Sequence, residues 1–169
     1  MTKKKTTKKT KIKPKAPKSR KGKTVVVSGG FDPIHIGHVR MIKEAKKIAG
    51  MGGKLVVIIN NDNWLMLKKG FVFMPEIERK EVIEAITGVD KVILTSHKKG
   101  TKDISVCVDL AKVRPHIFAN GGDRTKKNIP ELEVGKKWGM EMVFGVGHGG
   151  KVQSSSELVK KLKKPKKKS

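Results

Sequence analysis

Thr24-Val25-Val26-Val27-Ser28-Gly29-Gly30-Phe31-Asp32-Pro33-Ile34-His35-Ile36-Gly37-His38 passes from a run of valines, through two glycines and a proline, into a stretch whose apolar residues recur every three or four positions. The valines predict a strand over 24–29. Val39, Ile42, Ala45 and Ile48 predict the inward stripe of a helix over 37–49, which Gly50 ends. A strand that turns directly into a helix is the opening of a parallel strand–helix–strand unit, so the question is whether the unit repeats.

It does. Residues 54–60, with Leu55, Val56, Val57, Ile58 and Ile59 in succession, predict a strand buried on both faces. Pro75 opens a helix whose stripe is Ile77, Val82, Ile83 and Ile86 and which Gly88 closes. A strand over 91–95, a helix over 103–113, a strand over 115–120, a helix over 130–138 and a strand over 140–145 follow. Ser154, Ser155 and Ser156 offer N-caps to a last helix beginning near Glu157. The alternation predicts an α/β fold, a Rossmann-like doubly wound sheet of five parallel strands in a single domain over 24–162. In such sheets ligands sit beyond the carboxyl ends of the strands, which points to the loops 29–37, 60–74, 120–129 and 146–156.

The chain has 169 residues and a formal charge of +25, but that charge is not evenly spread. Residues 1–23 hold 12 Lys or Arg and no acid, and 158–169 hold 7 more. The stretch between them has 21 basic residues against 15 acidic ones, a balance of +6. Such lysine-rich ends bury too little apolar surface to offset the entropy of ordering, so 1–23 and 163–169 are expected to be disordered basic tails. They are either solubilising extensions or arms for a polyanion, whether RNA, DNA or acidic lipid. Cys107 is the only cysteine, which excludes an internal disulfide; it lies in an apolar run and predicts a buried thiol. No apolar run approaches 18 residues and no secretory h-region stands out. A cytoplasmic protein is expected, with the nucleus the alternative that the lysine runs offer.

Gly29 and Gly30 allow close backbone approach at a strand's end, and a helix start just beyond aims free N–H groups at an anion. His35 and His38, three apart on that helix, can reach one bound phosphate. Their spacing also suits zinc, but no nearby Cys or carboxylate completes a ligand set, so no metal site is assigned. Two structural histidines are the remaining reading.

His35-Ile36-Gly37-His38, preceded by Phe31-Asp32, resembles the His-x-Gly-His signature of the nucleotidyltransferase superfamily. The chain from about residue 24 to 162 is similar to its cytidylyltransferase-type branch, which includes glycerol-3-phosphate cytidylyltransferase and the heptose-1-phosphate adenylyltransferases. The resemblance implies transfer of a nucleoside monophosphate from CTP or ATP to a small phosphorylated substrate, a polyol or sugar phosphate, with release of pyrophosphate. His35, His38 and Lys68 would be catalytic; Lys68, ahead of Lys69, matches the family's phosphate lysine. Arg79 matches an arginine that would bind substrate phosphate, or is a surface charge of its helix. Gly30, Phe31 and Gly37, the Gly121-Gly122-Asp123-Arg124 loop (Gly122, Asp123, Arg124) and Gln153-Ser154-Ser155-Ser156 would hold the nucleotide; an ordinary turn and plain N-caps are the alternatives for the last two. Mg2+ would accompany the triphosphate, and a homodimer is implied.

The chain departs from the family at Gly149, where the cytidylyltransferases carry an arginine, and this leaves the base open between CTP and ATP. Pantetheine-phosphate and nicotinamide-mononucleotide adenylyltransferases share the first motif and a serine triplet, and are the nearest rivals. A nucleic-acid-binding protein that keeps this fold and its basic tails is the alternative of another class.

Overall fold

In a computed structural model, the structure describes residues 22–122, 129–147 and 153–162. The elements run β1 (Thr24–Gly29), α1 (Ile36–Ala49), β2 (Lys54–Ile59), α2 (Asp62–Lys69), α3 (Glu76–Glu84), β3 (Lys91–Leu94), α4 (Cys107–Val113), β4 (Ile117–Gly121), α5 (Pro130–Lys136), β5 (Glu141–Val146) and α6 (Ser155–Leu162). All five strands are parallel, in the order β3-β2-β1-β4-β5. The α/β doubly wound sheet expected from the sequence is what forms.

Strand alternation sends Val25, Val27, Leu55, Val57, Ile59 and Ala119 to one face, where Ile42 and Ala45 of α1 and Ile83 of α3 meet them. Val26, Val56, Ile58 and Phe118 point to the other face, against Leu110 of α4 and Met140. Each fully buried aliphatic chain here contributes roughly 1.5–3 kcal/mol. The chain leaves β1 towards β2 and then β3, and returns through α4 to pair β4 on the free side of β1. The order therefore reverses between β1 and β4, and a cleft opens at their carboxyl ends.

Several expectations need correction. Residues 60–74 were expected to be loop, yet they contain α2. Asn61 caps it by accepting the Trp64 amide at 3.1 Å, and Gly70 ends it in the left-handed region. The helix expected over 103–113 begins only at Cys107, because the preceding side chains bind local backbone instead. The Asp103 carboxylate accepts the Ser105 amide at 2.8 Å, and the Thr101 hydroxyl accepts that of Asp103 at 3.1 Å. Cys107 is half-buried, since Val106 and Leu110 take the core positions; burial still pushes its thiol pKa up. On α3 the supposed stripe is half wrong: Ile77 and Val82 are exposed, and the inward residues are Ile83 and Arg79. The remaining limits move by one to three residues, α5 stopping at Lys136 and α6 starting at Ser155.

Gly22 and Lys23, assigned to the tail from the sequence, belong to the folded body, the Lys23 amide donating to Ala49 O and Lys23 O accepting from Lys54 N, both at 2.9 Å. The rest of the two tails lies outside the described residues. Among the described residues no helix is long and apolar enough to cross a membrane.

Candidate active site

The cleft at the carboxyl ends of β1 and β4 has a volume of about 290 Å3. Its shape depends on the loop from Gly30 to His35. Asp32, fully buried, accepts the Met74 amide at 2.6 Å and the Phe73 amide at 3.0 Å, which ties this loop to the segment before α3. Phe31 sits in the left-handed region (φ 51°), which turns its buried ring inward beneath Gly29. There its edge meets the His38 ring, with 4.8 Å between centroids.

His35 is the N-cap of α1, and the two histidines cap the helix reciprocally. The Gly37 amide donates to Nδ1 of His35 at 3.2 Å, and the His35 amide donates to Nδ1 of His38 at 3.3 Å. Both Nδ1 atoms therefore act as acceptors, and a neutral ring carries its proton on Nε2. The rings stack, with centroids 3.8 Å apart and planes 22° apart. Gly37 makes room for this arrangement: a Cβ there would stand 3.0 Å from the His35 ring.

Burial, then the neighbouring His35 and Lys69, push His38 down to about 3, and burial and Lys69 lower His35. At neutral pH both are neutral, with two Nε2–H donors that have no partner among the described residues. The depressed value has a consequence for stability. Between an unfolded value near 6.5 and the folded value of about 3, the unfolded chain binds the extra proton, so stability falls as pH drops through that window. The thermal midpoint of the free protein should be lower at pH 5 than at pH 7.5, and His38→Gln should shrink the difference. A wild-type midpoint that rises on acidification would contradict a buried neutral pair.

Charge is arranged to leave this helix start to a ligand. The other five helices carry an acid in the first turn, namely Asp62, Glu76 and Glu78, Asp109, Glu131 and Glu133, and Glu157. The first turn of α1 has none, so the positive end of its dipole meets no resident carboxylate.

The lysine that faces this helix start is Lys69. Its Nζ donates to Asp32 O at 2.8 Å and lines the cleft; burial lowers its pKa, Asp32 offsets part of this, and Arg79 lowers it further. Lys68, preferred on sequence, points to solvent and does not line the cleft. Lys69 follows Leu65 by one turn, and Leu65 is buried against Gly30, so α2 aims the second lysine inward.

Arg79 is not on the surface and does not line the cleft. Its side chain is wholly buried, with Nε donating to Met74 O at 2.8 Å, Nη1 to Gly30 O at 2.6 Å and Asn60 O at 2.7 Å, and Nη2 to Asp62 Oδ1 at 2.6 Å. It locks the ends of β1 and β2 to α2 and α3. Gly30 and Phe31 also stand behind the cleft wall, Gly30 against Leu65 and Phe31 under His38.

Gly37, Gly122, Gln153, Ser154, Ser155 and Ser156 do line the cleft. The Ser155 hydroxyl donates to Pro33 O at 2.9 Å, joining the start of α6 to the β1 loop. Asp123 and Arg124 lie outside the described residues, as do His148, Gly149 and Lys151. Sequence reasoning missed Ser28, Met41, Asn120 and Gly147. Met41 was within reach of it, lying one turn beyond His38 on the same helix face. A Cβ on Gly121 would stand 2.6 Å from its sulfur, so that glycine is needed for packing as well as for ligand approach.

Residues 26–159 match the cytidylyltransferase-like family. The chain belongs to this family. It is 37% identical over 117 residues to an FAD synthase of Methanopyrus kandleri, covering 69% of this chain and 71% of that one. It is 32% identical over 147 residues to an FAD synthase of Methanobrevibacter smithii, covering 84% and 92%. The bifunctional protein HldE of Koribacter versatilis is 32% identical over 117 residues, which are 68% of this chain and 22% of that protein. Among solved structures, a lipopolysaccharide core biosynthesis protein from Thermoplasma volcanium superposes with a TM-score of 0.58 at 27% identity, covering 75% of this chain and 98% of that one. As a cytidylyltransferase-like protein the chain is a nucleotidyltransferase, which the resemblance of residues 35–38 implied.

Proposed function

We propose that the chain transfers the adenylyl group of ATP to the phosphate of FMN, giving FAD and pyrophosphate. The observation that carries the chemistry is the stacked pair of neutral imidazoles at the uncontested start of α1, with Lys69 beside them. An FMN phosphate oxygen attacks the α-phosphorus in line; the new O–P bond forms as the bond to the α,β-bridging oxygen breaks, and pyrophosphate leaves with that electron pair. The Nε2–H groups of His35 and His38 donate to the α-phosphate oxygens as charge gathers there. Lys69, the serines and the α6 amides hold the departing phosphates. Among the described residues the cleft lining offers no carboxylate, so a Mg2+ accompanying the triphosphate would be held mainly by the triphosphate's own oxygens and would add charge neutralisation there.

FMN as acceptor rests on the FAD synthases of Methanopyrus and Methanobrevibacter. The match to HldE favours a second reading, adenylyl transfer to a sugar phosphate. Pyrophosphate release from ATP, CTP, GTP and UTP, each with FMN, a heptose 1-phosphate and glycerol 3-phosphate, separates these readings. ATP with FMN should be fastest and should yield FAD. Turnover with ATP and the sugar phosphate alone would support the second reading, and turnover with CTP alone would overturn both. In the same assay Lys69→Ala should lower kcat/KM about 100-fold, as loss of a charge-stabilising donor does. Lys68→Ala should change it less than about twofold, as exposed substitutions away from a site do. A larger loss in Lys68→Ala than in Lys69→Ala would return the role to Lys68.

A further inference from the structure

The end of the sheet opposite the cleft is where the strands begin, and it is lined with cations. Lys91 heads β3, Lys54 heads β2, Lys23 precedes β1, Arg114 leads into β4, and Lys137 caps α5 before β5. The strand order sets these in one row, about 20 Å long at the usual strand spacing. Lys46 and Lys47 join it from the last turn of α1.

Two acids stand among them, and both are engaged. Glu141 pairs with Lys23 at 3.2 Å, and Asp90 pairs with Lys46 at 2.5 Å, where Lys54 also acts on it. Lys47, Lys91, Arg114 and Lys137 have no ion-pair partner among the described residues. Cations at helix ends answer the helix dipole, which accounts for Lys46, Lys47, Arg114 and Lys137. It does not account for Lys23, Lys54 and Lys91, because strands carry little net dipole.

The basic segment 1–21 joins the body at this same end. A Cβ on Gly22 would stand 2.2 Å from the Gly52 and Gly53 backbone, so the chain enters against the turn between α1 and β2. Towards the β5 end of the row a hollow of about 370 Å3 lies between Lys23, Arg114, His116 and Trp138, with Glu141 on its wall held by Lys23. Met51 is the most exposed apolar side chain of the fold and lies in that turn, but one methionine does not make the apolar face that lipid insertion needs. Nor is there a row of exposed aromatic rings to stack bases.

We propose that this row binds the phosphate backbone of nucleic acid without regard to sequence, at the end of the molecule remote from the cleft. The test uses the full chain with fluorescently labelled random-sequence single-stranded RNA and duplex DNA of 20 nucleotides or base pairs, read by anisotropy across a salt series, and vesicles with and without phosphatidylserine. The wild type should bind both nucleic acids, with affinity falling steeply as salt rises. The combined variant Lys47→Gln, Lys54→Gln, Lys91→Gln, Arg114→Asn should bind about tenfold more weakly or worse at 100 mM salt, with the log–log salt slope reduced by about three, from four lost phosphate contacts. Its pyrophosphate release should match the wild type, which also shows that it folds. Wild-type nucleic-acid affinity in that variant would place binding in the basic segments 1–21 and 163–169 rather than in the row and overturn the proposal. Failure to bind nucleic acid, with or without binding to acidic vesicles, would overturn it equally.

Discussion

His38→Ala is expected to slow turnover about a thousandfold while leaving the fold intact. In a reaction with no covalent intermediate the protein contributes alignment and charge stabilisation, and loss of one well-placed donor in such a site costs about 100- to 1,000-fold. His38 belongs at the upper end. It is the more deeply buried ring of the pair, held between the stacked His35 and the edge of Phe31, and its Nδ1 is fixed by a backbone amide. Its loss removes a donor and also the support of the neighbouring ring. His35→Ala should show a mixed effect, because His35 is also the N-cap, and loss of a cap costs about 1 kcal/mol of stability. Single-turnover pyrophosphate release reads the chemical step directly. A His38→Ala enzyme within tenfold of wild type would remove the imidazole pair from the mechanism.

Arg79→Ala should act on stability first. The substitution leaves the Asp62 carboxylate and three carbonyls, those of Gly30, Asn60 and Met74, without their donor, and empties the space of the largest fully buried side chain. Asp62 keeps 36% of its side-chain surface in solvent, so the cost comes mainly from the cavity and the buried carbonyls left unpaired, about 3–5 kcal/mol together. For a domain of this size that lowers the thermal midpoint by roughly 10 °C or more. Arg79→Lys, with a point charge in place of a planar fork, should recover only part of the loss. A near-normal midpoint combined with a much raised KM for the phosphorylated acceptor would reinstate Arg79 as a substrate ligand.

The strands and α1 were legible because unbroken Val and Ile runs and a three-to-four-residue apolar period leave few alternatives. α2 was not, although Asn61 and Gly70 mark both its ends, because Met66 and Leu67 are exposed and blur the apolar face defined by Trp64 and Leu65. That omission carried forward. Without α2 nothing in the sequence says which of Lys68 and Lys69 turns inward, and nothing places Asp62 where Arg79 can meet it. Arg79 was misjudged for a further reason: a charged residue on a polar helix looks exposed, and the carbonyls that satisfy it lie up to 49 positions away. The histidine pair was singled out because its three-residue spacing at a helix start is local in sequence, and the amides of residues 35 and 37 that orient it are local too.

The first turn of α1, left free of carboxylates, makes no distinction between the polyphosphate that arrives and the one that departs. On the proposed reading one phosphoanhydride is exchanged for another, so the reaction is close to thermoneutral and runs backward once product accumulates. Net synthesis then depends on a separate hydrolytic activity that clears pyrophosphate, and on the same reading inorganic phosphate or sulfate in a buffer competes for the place of the triphosphate.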